Sequence, residues 1–257
     1  MQKTAEKLTA PLFQNFSEFY RREKFVFLFL PALVIVIVFF FVPIFTLLRI
    51  SFYKSTPFAV YEEGFTFANY IKIFTDFFYL KTIFFTLKIA TIVTFISLAC
   101  GYPVAYYTAR AAGLRKLICI LCIIIPLWTN LIVRIYGWRV ILGRAGVINI
   151  FLLKVGVIQE PLPLVFNSFA VIIGLLNVVF PWVILILFSL LEGLDWSLIE
   201  AARDLGAGRI RSFYEVTFKL SLPGVIVAGL FAFIWAAGEY ATPSLLGSSA
   251  QRTISME

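Results

Sequence analysis

The run Asp195-Trp196-Ser197-Leu198-Ile199-Glu200-Ala201-Ala202-Arg203-Asp204-Leu205-Gly206-Ala207-Gly208 decides how the chain is read. Asp195 or Ser197 can cap a short helix, and Ser197 with Glu200 has the capping-box spacing. Ala201 and Ala202 give that helix a nearly smooth face, which another protein can approach closely. Gly206 can take a positive φ and end the helix. Ile210, Phe213, Tyr214, Val216 and Phe218 then mark a second amphipathic helix. The segment reads as a helix–turn–helix knob. From these residues alone Glu200 has two readings: a cap on its own helix, or a group offered to a partner.

The knob sits between long apolar runs. Hydrophobic residues make up 61% of the 257 positions and charged residues only 14%. Soluble domains keep about a quarter of their residues charged, so much of this exterior must face lipid. Five spans are expected at about 25–48, 83–106, 117–133, 166–190 and 223–241. The first is too long, starts too late and lacks the small-residue site of a cleaved signal peptide. Residues 51–83 are more polar, with a turn at Tyr61-Glu62-Glu63-Gly64 and a surface helix over 67–78. Residues 147–153 suit a helix lying along the interface. Pro223 suits the first turn of the fifth span, with Ser221 as its cap. Pro31, Pro43, Pro103, Pro126 and Pro181 fall inside spans, where lipid tolerates freed carbonyls only in a packed bundle. The fold class is all-α, a polytopic transmembrane helical bundle.

Arg21, Arg22 and Lys24 flank the first span, which places the N-terminal segment 1–24 in the cytoplasm. Segments 1–24, 108–116 and 192–221 then hold about twelve of the 22 Lys and Arg residues on that side. The net charge of +8 is spread over short loops rather than a basic stripe, so no nucleic-acid partner is implied. There is no histidine, which excludes Ser-His-Asp and Cys-His catalysis and argues against a zinc hydrolase. Cys100, Cys119 and Cys122 lie in apolar runs and read as small buried hydrophobes. No Walker sequence occurs, so the chain supplies no nucleotide site of that kind. It does not read as an enzyme.

Glu-Ala-Ala at 200–202, with Gly206 after three intervening residues, resembles the EAA loop of ABC importer permeases. That family shows a Leu-Pro about twelve residues past the glycine; Lys219 stands at the proline position here, and Leu222-Pro223-Gly224 arrives four residues late. Gly101-Tyr102-Pro103-Val104-Ala105-Tyr106, 126–134 and Gly238-Glu239-Tyr240-Ala241-Thr242-Pro243 are similar to polyamine-type permeases in particular. The resemblance implies that Ser197, Glu200, Ala201, Ala202, Asp204 and Gly206 form a coupling helix entering a cleft in a separate ATPase. It also implies a second, homologous permease subunit, two ATP-binding-cassette subunits, an extracytoplasmic solute-binding protein and a bacterial inner-membrane location. No cofactor is expected on this chain, since the partner ATPase uses the ATP. Family members continue past Gly247 into a further span, so a final sixth span is expected to be lacking. Another small solute, such as an opine, an amino-acid-like amine, thiamine or a metal complex, is an alternative cargo. A non-transport membrane protein is a remoter one.

Charges within the apolar runs give the pathway candidates. Glu239, beside Tyr240 at the outer end of the fifth span, reads either as a transient counter-charge for a cationic solute or as a structural partner of an arginine. Arg134, at the end of the third span, is that possible partner or a snorkelling side chain, with snorkelling preferred. Lys88 reads as snorkelling outward. Trp128, Trp138 and Trp182 read as interfacial belt residues, with stacking on an alkylammonium chain as their other reading.

Overall fold

The computed structural model describes residues 29–54, 62, 64–248 and 251–256. The segment 1–24, the start of the first span and part of the turn at 61–64 lie outside the described residues. The chain divides into two compact units, Met1–Thr75 and Asp76–Glu257.

In the first unit, α1 (Phe29–Ser51) has 23 residues, about 34 Å at the helical rise, enough to cross a hydrocarbon core. The chain then folds back into α2 (Ala68–Thr75). Asn69 holds the turn by donating to the carbonyls of Ser51 (3.0 Å) and Tyr53 (2.7 Å). Phe52 stacks on Phe65 and meets Phe67 edge-on. The surface helix expected over 67–78 thus stops at Thr75.

Asp76 opens the second unit by accepting the Phe78 N–H (2.9 Å), which starts α3 (Phe77–Arg110). With 34 residues, α3 runs about 51 Å and overshoots the expected span at both ends. Gly113, at φ +57°, turns the chain into α4 (Gly113–Trp128). The expected span 117–133 does not persist. Asn130 accepts the N–H groups of Ile132 and Val133 and starts α5 (Leu131–Leu142). The direction changes by 95° between α4 and the segment Leu131–Lys154, so residues 131–133 leave the third span. The helix expected at 147–153 is α6 (Val147–Lys154). Its Asn149 is buried and bonds Gly143 and Leu162, closing that loop.

Asn167 caps α7 (Ser168–Glu192) through the Ala170 N–H. After α8 (Ser197–Asp204) and α9 (Arg209–Ser212), a π-helical turn over Phe213–Phe218 runs directly into α10 (Lys219–Gly238). Two expectations change here. Pro223 lies inside a helix that already began at Arg209, not in its first turn, and the Ser221 hydroxyl donates to the Phe218 carbonyl rather than capping. The wide π turn sits just before Pro223, where a proline ring needs room. The short α11 (Ala241–Leu246) and a 3₁₀ turn (Ile254–Met256) follow.

Among the described residues four helices are long and apolar enough to cross a membrane, or five if the bent pair counts as one span. The core of the second unit is α3, α7 and α10 packed together. Lipid supplies no hydrophobic drive between helices, so close backbone approach must provide the attraction. The sequence supplies it with small residues at every fourth place: Ser97, Gly101, Ala105 and Ala109 on α3, and Gly224, Ala228, Ala232 and Ala236 on α10, all buried. A Cβ on Gly224 would lie 2.6 Å from Leu190 Cδ1. Among the described residues there is no strand beyond an isolated Lys54–Glu62 bridge.

Candidate functional site

The first region is the elbow formed by α8 and α9. Asp195 accepts the Ser197 N–H (3.0 Å) and starts α8. The hydrogen bonds from the Ser197 hydroxyl and backbone N–H hold the Asp195 carboxyl below its ordinary range. The Ser197–Glu200 capping box does not form: the Glu200 N–H bonds the Trp196 carbonyl instead. The Glu200 side chain is exposed and has no hydrogen-bond or ionic partner among the described residues. Ala201, Asp204 and Gly206 are exposed, and Ala202 is half-buried.

Gly206 adopts φ +87°. Its N–H bonds the Arg203 carbonyl, and the Ala207 N–H reaches back to Ala202, the Schellman arrangement that ends α8. Beyond the stop, Leu205 is 89% and Ile210 76% exposed. The tip therefore presents an exposed carboxylate and bare apolar side chains together.

Behind the tip the elbow is fastened. Ile199 is 5% exposed. Tyr106 of α3 meets Trp196 edge-on at 5.9 Å and Phe213 at 5.6 Å. Tyr102, one turn earlier, packs on Phe213 and Phe218 and hydrogen-bonds Ser221 at 2.8 Å. Arg110 donates to the Tyr106 hydroxyl and lies over the Trp196 ring. Lys116 pairs with Glu192, tying α4 to the end of α7. The sequence reading missed this aromatic clamp; its only trace is the four-residue spacing of Tyr102 and Tyr106, which puts both on one face of α3.

The second region surrounds Glu239, just past α10. It is 9% exposed, and its carboxylate accepts the N–H groups of Ala241 (3.1 Å) and Thr242 (2.8 Å). It fastens the start of α11, so its structural partner is a helix terminus and not an arginine. Arg134 lies in α5, not at the end of a span. It donates to the Asn177 carbonyl at 3.4 Å, and its Nε is buried without a partner. Arg134 is thus half-buried against α7 instead of snorkelling. Trp138 packs in a small cluster with Ile135, Leu142, Ala170 and Leu246, and Tyr240 is 58% exposed. Trp128 is 88% exposed. Lys88 is exposed and shares a cleft with Lys81 and Arg252. Among the described residues no group of His, Cys, Asp and Glu could hold a metal ion.

No family model matches the chain. Over 213 residues it is 34% identical to the spermidine/putrescine transport system permease protein PotB of Escherichia coli (strain K12), covering 83% of this chain and 77% of that protein. The chain belongs to the ABC importer permeases of the spermidine/putrescine type. The permease is a multi-pass inner-membrane protein. Its fold is shared with a solved bacterial ABC transporter that imports the acidic polysaccharide alginate, at a TM-score of 0.68 and 14% identity, covering 95% of this chain and 85% of that one. A second structure, the bacterial alginate ABC transporter in complex with an alginate pentasaccharide-bound periplasmic protein, matches at a TM-score of 0.68 and 16% identity, covering 93% and 83%.

Proposed function

We propose that this permease forms half of a translocation pathway for spermidine or putrescine and is driven by a separate ATPase that docks on α8. The single observation that carries the docking is the Glu200 side chain, exposed and without an internal partner at the tip of a helix that is otherwise fastened down. The substrate class rests on the 34% identity to a spermidine/putrescine permease. The assembly contains a second permease subunit, two ATP-binding-cassette subunits and an extracytoplasmic binding protein. The N-terminus and the α8–α9 elbow lie in the cytoplasm. This chain binds no cofactor of its own, and ATP is consumed by the partner.

Coupling follows from stiffness. Closure of the ATPase dimer displaces α8. Trp196 passes that displacement to Tyr106 on α3, while the unbroken Arg209–Gly238 helix passes it to the fifth span. A floppy loop would absorb the motion; a clamped elbow turns it into helix movement. At the other end of α10, Glu239 contributes a buried negative charge beside the pathway. Both of its oxygens already accept N–H groups, so it acts on a passing cation through its field. Tyr240 lies next to it, while Arg134 and Trp138 hold the scaffold that carries α11.

The test is uptake of radiolabelled spermidine and putrescine by the importer reconstituted with its partners. Wild type transports them; Glu200→Ala inserts normally, loses co-purifying ATPase and loses uptake. Normal transport and normal assembly by Glu200→Ala would overturn the coupling assignment.

A further inference from the structure

Trp182 of α7 and Trp235 of α10 stack with ring centroids 6.1 Å apart and an interplanar angle of 27°. Phe231 completes the group, 5.3 Å from Trp235 and 6.3 Å from Trp182. Each tryptophan is 38% exposed.

The position is unusual for tryptophan in a membrane protein. Interfacial belts put tryptophan near span ends, where the indole N–H meets water or headgroups. Trp182 lies well inside Ser168–Glu192, about 21 Å from one end of α7 and about 15 Å from the other. Neither indole N–H has a hydrogen-bond partner among the described residues. Hydrocarbon offers no acceptor, and an unsatisfied N–H there is unfavourable. Trp235 lies three residues before the end of α10, and its stacking holds it at the depth of Trp182; a face that carries two such donors at that depth is suited to a wet surface, not to lipid.

Charge points the same way. The sequence of α7 contains no Lys or Arg, and that of α10 has only Lys219 at its start. Lys219, sixteen residues before Trp235, pairs with Glu215, so neither helix supplies a cation to the rings. The buried Glu239 lies one turn beyond Trp235, its N–H bonded to the Trp235 carbonyl. Stacked indoles one turn from a buried carboxylate suit an alkylammonium ion, and tryptophan is the strongest cation–π side chain.

We infer that Trp182, Phe231 and Trp235 form an aromatic platform over which the alkylammonium groups of the substrate pass. The inference rests on the polyamine reading. The platform gives a transient site within the span, with dispersion against the methylenes and cation–π attraction for each ammonium group.

The experiment is spermidine uptake by the complete reconstituted importer with Trp182→Leu, Trp235→Leu, Trp182→Phe and Trp235→Phe, alongside co-purification of the second permease and the ATPase. Each leucine variant raises the apparent KM about fivefold or more, each phenylalanine variant restores most of the loss, and assembly is unchanged. Wild type that carries neither spermidine nor putrescine removes the polyamine reading itself. Active wild type with leucine variants of parental KM overturns the platform alone. Loss of the second permease from the leucine variants also overturns it, by making this face a subunit contact.

Discussion

Two carboxylates mark opposite ends of the Arg209–Gly238 helix, and the protein uses them in opposite ways. Glu200, before the helix, is exposed and uncommitted; Glu239, after it, is buried with both oxygens accepting backbone N–H groups. A charge left free at a fastened tip is available to another protein. One consumed by its own backbone holds a break in the chain. The same residue type is therefore left free at one end and built into the architecture at the other, and only the partners distinguish them.

The sharpest way to break this comparison is to remove both charges in parallel. Glu239→Leu strands the Ala241 and Thr242 N–H groups in a buried site, at about 1–3 kcal/mol for each unsatisfied donor. Thermal unfolding in detergent should show a large loss of stability. Glu200→Leu leaves the melting temperature where it was and abolishes ATPase co-purification. Equal melting temperatures for the two variants would mean that the Glu239 cap is not holding α11.

A second test loads the joint between α7 and α11. A Cβ on Gly174 would lie 2.4 Å from Thr242 Cγ2 and 2.6 Å from Leu246 Cδ1. Gly174→Val should destabilise by about 1–3 kcal/mol through overpacking. Gly208, in the elbow, has nothing within 4 Å of the same position, so Gly208→Ala serves as the neutral control. A melting curve for Gly174→Val that matches the control would show that α11 can shift away without cost.

The elbow responds to a subtler change. Tyr106→Ala removes the ring that meets both Trp196 and Phe213, with about 0.5–1.5 kcal/mol of aromatic contact for each pair. The ATPase still docks, because the exposed tip is intact. Uptake nevertheless falls about tenfold, a barrier change of roughly 1.4 kcal/mol, while ATP hydrolysis loses its response to loaded binding protein. Loss of ATPase co-purification from Tyr106→Ala would instead make the clamp part of the docking surface.

The two regions also differ in how far the sequence exposes them. Long apolar runs report spans well: 166–190 corresponds to Ser168–Glu192 because nothing interrupts it. The α8 helix and its Gly206 stop are legible too, since a positive φ at a glycine is a local property. The break after Trp128 is hidden because Leu131, Ile132 and Val133 keep the run apolar while Asn130 starts a new helix. Hydropathy counts side chains and does not register a cap. The continuity through Phe213–Phe218 is hidden for the reverse reason, as Pro223 imitates a helix start. The Glu239 cap and the Tyr106–Trp196 contact depend on which backbone groups and faces meet after folding, and no local pattern carries that.

The smallest expected effect tests how α8 is held at its start. Asp195 is exposed, and its carboxyl is held below the ordinary value of 3.8 by its hydrogen bonds to Ser197. A folded-state pKa below the unfolded one gives stabilisation that is present above the unfolded value and lost as pH falls through the folded one. The start of α8 should therefore be indifferent to pH from neutrality down to about 4 and loosen only below that. Hydrogen exchange read by mass spectrometry over 195–204 can follow it: Asp195→Ala exchanges faster than wild type at pH 7, and the two converge once acid has protonated the carboxyl. A gap that persists at the acid end would show that the capping bond survives protonation, so that orientation rather than charge starts α8.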